Sequence, residues 1–221
     1  PKPIIAALHG PTMGGGCEVA LGCHYRIAAP DTLVALPEVK LGILPGAGGT
    51  QRMPRLIGVE AALRMITTGD PVKADKLVPM GFADEMAQGD IAAAGVAFAN
   101  KVVAEKRPLR KVRDLTAKLP EGIPAAAFFA AAREQVKKAS KGFPAPLKCL
   151  DCVEAAATKP FDEGIKVERE LFMQLVASTE SASLRHAFFA ERMASKIPDV
   201  PEDTPTREIK SAAIIGAGTM G

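Results

Sequence analysis

Two glutamates and a run of glycines are where this sequence has the residue types for chemistry. Gly14-Gly15-Gly16 runs directly into Cys17-Glu18, and Glu38 follows twenty residues later in Leu36-Pro37-Glu38. Three glycines at a helix start leave backbone N–H groups unpaired, with no Cβ to keep a ligand away. An oxygen that gains negative charge during a reaction is stabilised at such a turn by the N–H groups and the helix dipole. Two carboxylates beside the turn are the parts needed to add or remove water across an activated double bond. One accepts a proton from water, and the other, protonated, delivers one to carbon. Acids that share a pocket push their apparent pKa values apart, so they differ in protonation at a single pH. Each motif also has a plainer reading. Triple glycine is common in tight turns, Glu18 suits the first turn of a helix, and a glutamate after proline is ordinarily solvated.

The elements that must position these residues are short. Ile4–Leu8, Tyr25–Ala29 and Leu33–Leu36 are apolar runs bounded by Gly and Pro, which predicts buried strands, and Leu41–Leu44 is a further apolar segment. Helices are expected over Glu18–Gly22 and Thr50–Ile57, the second capped by Thr50 after Gly46-Ala47-Gly48-Gly49. That glycine loop reads Gly49-Thr50-Gln51 where a phosphate loop needs Gly-Lys-Ser/Thr, so it shapes a pocket wall instead. From Val59 the texture is helical: Val59–Thr67, Ala74–Met80, Ile91–Lys106, Pro124–Ser140, Leu147–Thr158, Phe161–Ser178 and Ser183–Lys196. Phe161, Ile165, Phe172, Leu175 and Val176 fall on one face. Three prolines and three acids in Ile197–Thr206 predict a stiff linker. It leads to a strand pattern over Ser211–Ile215 and then to Gly216-Ala217-Gly218-Thr219-Met220-Gly221. That is a G-x-G-x-x-G dinucleotide fingerprint without the helix and acidic residue that complete such a site. With Pro1 leading straight into a strand, the chain reads as an internal piece of a longer polypeptide.

Composition narrows the class. A chain of 221 residues with 48% hydrophobic and 24% charged residues is globular, with ample length for a core. A net charge of +3, no Trp and one Tyr argue against nucleic acid as a partner. No apolar run is long enough for membrane insertion. Cys17, Cys23, Cys149 and Cys152 lack a secreted-disulfide pattern, and Cys149-Leu150-Asp151-Cys152 has no second pair to make a zinc or redox site. His9, His24 and His186 have no ligand spacing, so no metal is expected.

The combination resembles the enoyl-CoA hydratase/isomerase (crotonase) family. The residues that carry the likeness are Ile4–Gly10, Gly14-Gly15-Gly16-Cys17-Glu18-Val19-Ala20-Leu21, Pro37-Glu38 and Gly46–Arg52, in the family's order and with its Glu–Glu spacing. Gly22–Arg26, Ala187–Arg192 and the closing Gly216–Gly221 look like the branch in which a hydratase/isomerase part precedes a 3-hydroxyacyl-CoA dehydrogenase. The resemblance implies an α/β fold: part of a crotonase-like spiral of strand-turn-helix units, then a helical region, then the first strand of a Rossmann domain. In domain terms, residues 1–58 hold the catalytic core, 59–196 the helical part and linker helix, 197–208 the linker, and 209–221 the start of the NAD-binding domain.

It also implies reversible syn hydration of trans-2-enoyl-CoA in fatty acid β-oxidation, with enoyl isomerisation as a companion activity. Glu18 and Glu38 match the catalytic glutamates, Gly15 matches an oxyanion donor, and Gly16 lies in the same substrate-binding turn. The family's second oxyanion donor belongs to a segment upstream of Pro1. His24 stands where many simple hydratases have Asp. Hydration needs no cofactor; NAD serves the dehydrogenase of the parent, through Gly216, Gly218 and Gly221. Location would be peroxisomal in a eukaryote and cytoplasmic in a bacterium. A non-catalytic scaffold or proteolytic fragment is the competing reading of the chain taken alone. Because pyrophosphate binding needs the helix after the fingerprint, a chain ending at Gly221 is expected to bind no NAD. Calorimetric titration checks this, and micromolar binding would contradict it.

Overall fold

A computed structural model describes residues 2–194, 196–201, 203–216 and 218. The first part alternates strands and turns: β1 (Ile5–Leu8), β2 (Pro11–Met13), α1 (Gly15–Gly22), β3 (Tyr25–Ala28) and β4 (Leu33–Ala35). β1 pairs in parallel with β3, with Ile5 beside Tyr25, and β2 pairs in parallel with β4, with Thr12 beside Val34. The chain therefore climbs as a spiral that repeats about every twenty residues. A 3₁₀ turn over Pro37–Leu41 follows β4, at the place that the start of α1 occupies after β2. The segment Leu41–Leu44, apolar in sequence, is thus turn and loop, with Leu44 fully buried.

The remaining elements close over this spiral: α2 (Gly49–Ile57), α3 (Val59–Thr68), β5 (Val72–Lys73), α4 (Ala74–Leu77) with a 3₁₀ turn over Val78–Met80, β6 (Glu85–Met86) and α5 (Ile91–Ala104). After a short 3₁₀ turn at Val112–Asp114 come α6 (Ala125–Ala139), α7 (Ala145–Thr158), α8 (Phe161–Val176) and α9 (Thr179–Ala194). β5 adds antiparallel to β4, and β6 adds parallel to β3. These two-residue strands and β2 have no periodicity of their own to read, because the neighbouring strand defines them.

The helices form where apolar spacing and stop signals place them. α3 ends at Gly69 in the left-handed conformation, and Asp90 caps α5 by accepting from Ala93 N–H at 2.7 Å. The main core joins Leu21, Val34, Leu36 and Leu44, with Met53 of α2 and Ile66 of α3, to Leu150 and Val153 of α7. Cys149 and Cys152 are unpaired thiols buried in that core on α7. On the far side of β3, Tyr25 and Ile27 pack with Phe98 and Val102 of α5. Among the described residues, no helix is long and apolar enough to cross a membrane.

Residues 209–216, expected to contain a strand, are exposed and lie in no regular element, with Ile214 and Ile215 open to solvent. A strand needs a ladder partner, and none of the described strands reaches this segment. The linker residues 197–201 and 203–208 are likewise irregular and exposed.

One buried cation ties the spiral to what closes it. Arg26 on β3 is fully buried; Nε donates to the Phe82 carbonyl at 2.5 Å, and Nη1 donates to Cys23 O at 2.9 Å and Ala20 O at 3.3 Å. The carboxylate of Asp84 accepts from the Arg26 backbone N–H at 2.8 Å and from Arg110 at 2.6 Å. Truncation removes these donors from the Phe82 and Cys23 carbonyls, while the Ala20 carbonyl keeps the Cys23 N–H. Arg26→Ala is expected to lower unfolding stability by about 3–5 kcal/mol, measurable as a fall in the denaturant midpoint; an unchanged midpoint would refute the role.

Candidate functional site

The turn between β2 and α1 builds the front of the site. Gly14 sits at φ 56°, a conformation glycine adopts without strain, and its N–H donates to the Ala35 carbonyl of β4 at 3.0 Å. A side chain there would also collide with its neighbour: a Cβ on Gly14 would lie 3.2 Å from Glu38 Oε1. Gly15 and Gly16 are exposed, with no atom within 4 Å of a Cβ placed on either. The first turn of α1 is therefore open to solvent at Gly15 and Gly16, where helix geometry leaves the first N–H groups without intrahelical partners.

Behind this turn, α1 buries Cys17, Ala20 and Leu21, which carries Glu18 inward as well. Glu18 Oε1 accepts from Ala47 N–H at 2.8 Å and from Gly49 N–H at 2.7 Å. Gly49 has to be glycine for that contact, since a Cβ would come within 2.8 Å of the same oxygen. Burial raises the Glu18 pKa, while the two amides and the Arg52 charge pull it back down. Glu38 stands differently. It lies at the start of the 3₁₀ turn, and its Oε2 is buried with no hydrogen-bond partner among the described residues. Desolvation, with a smaller push from the Glu18 charge, raises its pKa from 4.5 to about 7. The amides thus favour the carboxylate form of Glu18 against a burial that still leaves its pKa raised, while Glu38 is equipped to carry a proton near neutrality.

The sequence-predicted residues divide accordingly. Glu18, Glu38, Gly15 and Gly16 come together. Gly216 and Gly218 do not join them; both are exposed at the far end of the chain, and Gly221 lies outside the described residues. Thr50 is not the cap of α2: Gly48 takes that position at φ 94°, and Thr50 is fully buried inside the first turn. His24 uses Nδ1 to accept from Ile4 N–H at 3.1 Å, a contact that pins the edge of β1. Among the described residues, no three His, Cys, Asp or Glu side chains cluster as metal ligands would.

Sequence reasoning missed Glu168. It is 2% exposed on α8, and its Oε1 accepts from Gly48 N–H at 2.7 Å. The Thr50 hydroxyl donates to its other oxygen. A charged residue on the same face as Phe161, Ile165, Phe172 and Leu175 was the available signal.

Comparison with known proteins first defines the fold. A carnitinyl-CoA hydratase from Mycobacterium avium superposes with a TM-score of 0.57 at 25% identity, over 86% of this chain and 60% of that one. An enoyl-CoA hydratase from Mycobacterium avium subsp. paratuberculosis gives 0.54 at 20% identity, over 85% and 63%. The architecture is the crotonase-like α/β fold. The sequence profile of the enoyl-CoA hydratase/isomerase family matches residues 1–142, and the chain belongs to that family. Among curated relatives, the peroxisomal bifunctional enzyme of Danio rerio is 46% identical over the whole chain, and that of Homo sapiens 40%. The fatty acid oxidation complex subunit alpha of Shewanella amazonensis is 40% identical over 99% of the chain. The chain spans 31% of the length of each of these relatives.

The raised pKa of Glu38 has a sign that can be checked. The folded state keeps a proton that the unfolded chain releases near pH 4.5, so ionising Glu38 in place costs stability as pH rises from about 4.5 to about 7. Glu38→Gln removes that cost. The variant should gain on the order of 1–3 kcal/mol relative to wild type between pH 5 and pH 8, read from chemical denaturation at both values. A difference that does not change with pH would contradict the assignment.

Proposed function

We propose that this chain carries the acid–base site of an enoyl-CoA hydratase that adds water syn across trans-2-enoyl-CoA to give 3-hydroxyacyl-CoA. The observation that carries this reading is the contrast between a buried and a half-buried carboxylate at one open glycine turn. Glu18 is held by two amides, and Glu38 is protonatable near pH 7. The thioester carbonyl would lie against the Gly15 N–H, with Gly16 in the same turn, and that donor stabilises the enolate-like oxygen. Each donor of this kind is worth roughly 3 kcal/mol.

The unclamped oxygen of Glu18 takes a proton from water as the water oxygen bonds to Cβ. Glu38 gives its proton to Cα. The product gains one water in total, and the pair returns to its starting state when Glu18 loses its proton and Glu38 regains one. Delivery of both groups from one side of the acyl plane gives syn addition. No cofactor takes part. Shifting a double bond requires only that one carboxylate move a proton between Cα and Cγ, and Glu38 is placed for that step.

The substrate class is an acyl-CoA thioester. In the whole protein, this part would feed an NAD-dependent 3-hydroxyacyl-CoA dehydrogenase that begins near residue 209, after the helical part to residue 196 and the linker over 197–208. The names of the curated relatives, a peroxisomal bifunctional enzyme and a fatty acid oxidation complex subunit alpha, support a second activity in the whole protein and a peroxisomal location in a eukaryotic host; in a bacterium the location would be cytoplasmic.

Glu18→Gln or Glu38→Gln in the full-length protein should each lower hydratase kcat by about 10²–10⁴. Where isomerisation of 3-enoyl-CoA is also measurable, Glu18→Gln should impair it less than hydration. Wild-type turnover in both variants would refute the acid–base assignment.

A further inference from the structure

The loop from Pro45 to Thr50 is held from two sides by two carboxylates. Glu18 takes the N–H groups of Ala47 and Gly49; Glu168 takes the N–H of Gly48 and the hydroxyl of Thr50. Four consecutive residues thus donate alternately to one acid and the other. The glycines allow it, because a Cβ on Gly49 would collide with Glu18 and one on Gly48 with Arg52.

Glu168 does not act alone in this contact. One helical turn before it, Gly164 closes on the Gln51 side chain so tightly that a Cβ there would overlap Gln51 Oε1. One turn after it, the Phe172 ring lies where a Cβ on Gly46 would come within 2.7 Å. Gln51 Nε2 in turn donates to Thr50 Oγ1 at 3.0 Å and to the Cys152 carbonyl of α7 at 2.8 Å. Three successive turns of α8 therefore meet the loop at Gly46, at Gly48 with Thr50, and at Gln51. A helix packed for its apolar area alone would not place a carboxylate at the centre of that contact, where it must be desolvated. Its burial makes sense if the orientation of the loop amides is what it secures.

We propose that Glu168 is a positioning residue for Glu18: by fixing Gly48 and Thr50, it aims the Ala47 and Gly49 amides at Glu18 Oε1. This rests on the hydratase reading for its catalytic consequence, though not for the loop geometry. Glu18 then keeps one oxygen committed to the loop and one available to water, in a single orientation. Loss of the clamp frees the carboxylate to turn, and misplacement by about 1 Å costs a reaction of this kind as much as 10²-fold.

The test uses the full-length protein with Glu168→Leu, Glu168→Gln and Thr50→Val. Two measurements are made: steady-state hydration of an enoyl-CoA, and hydrogen–deuterium exchange of the peptide spanning residues 45–52. Glu168→Leu should lower kcat about 10- to 100-fold with KM changed less than about twofold, and should speed exchange in that peptide while α7 stays protected. Glu168→Gln keeps an acceptor for Gly48 N–H and should recover most of kcat. Thr50→Val, which leaves α8 intact, should reproduce a smaller loss and the same local exchange; it decides the matter if Glu168→Leu fails to fold. Unchanged loop exchange in Thr50→Val, or a kcat loss that Glu168→Gln does not recover, would overturn the proposal. If the wild-type protein hydrates no enoyl-CoA, the hydratase reading falls, and the exchange data still decide whether Glu168 orders the loop.

Discussion

Parallel pairing of β1 with β3 and of β2 with β4 is the constraint from which the rest of the site follows. Each turn of the spiral lays its strands directly on those of the turn before, so equivalent places in successive turns become neighbours. Gly14 after β2 and Glu38 after β4 meet for this reason, and the Gly14 N–H bonded to the Ala35 carbonyl fixes their distance. A Glu–Glu spacing of twenty residues is thus the length of one turn expressed as chemistry. Arg26 supports the same stack by tying β3 to the carbonyls at the end of α1 and to Phe82 in the segment that closes the spiral.

Burial supplies the electrostatics, and hydrogen bonding divides the roles. Glu18 and Glu38 are both removed from water, which alone would raise both pKa values. Both stay raised, but the loop amides of Ala47 and Gly49 offset part of the rise at Glu18, so Glu38 is the carboxyl brought near neutrality. The difference does not come from the residue type. It comes from the loop that reaches Glu18 and not Glu38.

The helical half of the chain acts as a support for that loop. α7 packs Cys149, Leu150, Cys152 and Val153 into the core, and its Cys152 carbonyl receives Gln51. α8 brings Glu168 against Gly48 and Thr50, and α9 meets the turn beyond Glu38, with Ser181 Oγ donating to the Leu41 carbonyl at 3.0 Å. Elements more than a hundred residues downstream thus hold the turns that carry Glu18 and Glu38 from behind. The helical region is part of the site's framework and not an appendage to it.

The residues proposed to meet substrate were legible in the sequence because their signal is local. Glycines that precede a helix, a glutamate in its first turn, and a second glutamate after proline can be read from adjacent positions, and so can nearly every helix from α1 to α9. Periodicity and stop signals carry that information within one segment. What tertiary structure alone decided was which groups those residues would meet. The short strands β2, β5 and β6 exist only because a neighbour offers a ladder. Thr50 reads as a cap in sequence, yet its hydroxyl goes to Glu168. The apolar face of α8 has a glycine and a carboxylate among its most buried positions, since the loop it contacts presents amides. The strand pattern over Ser211–Ile215 pairs with none of the described strands, because a strand is a property of two segments and not of one. Residue type and spacing settled the candidate chemistry; long-range contact settled its protonation and its orientation, because both depend on partners that lie far away along the chain.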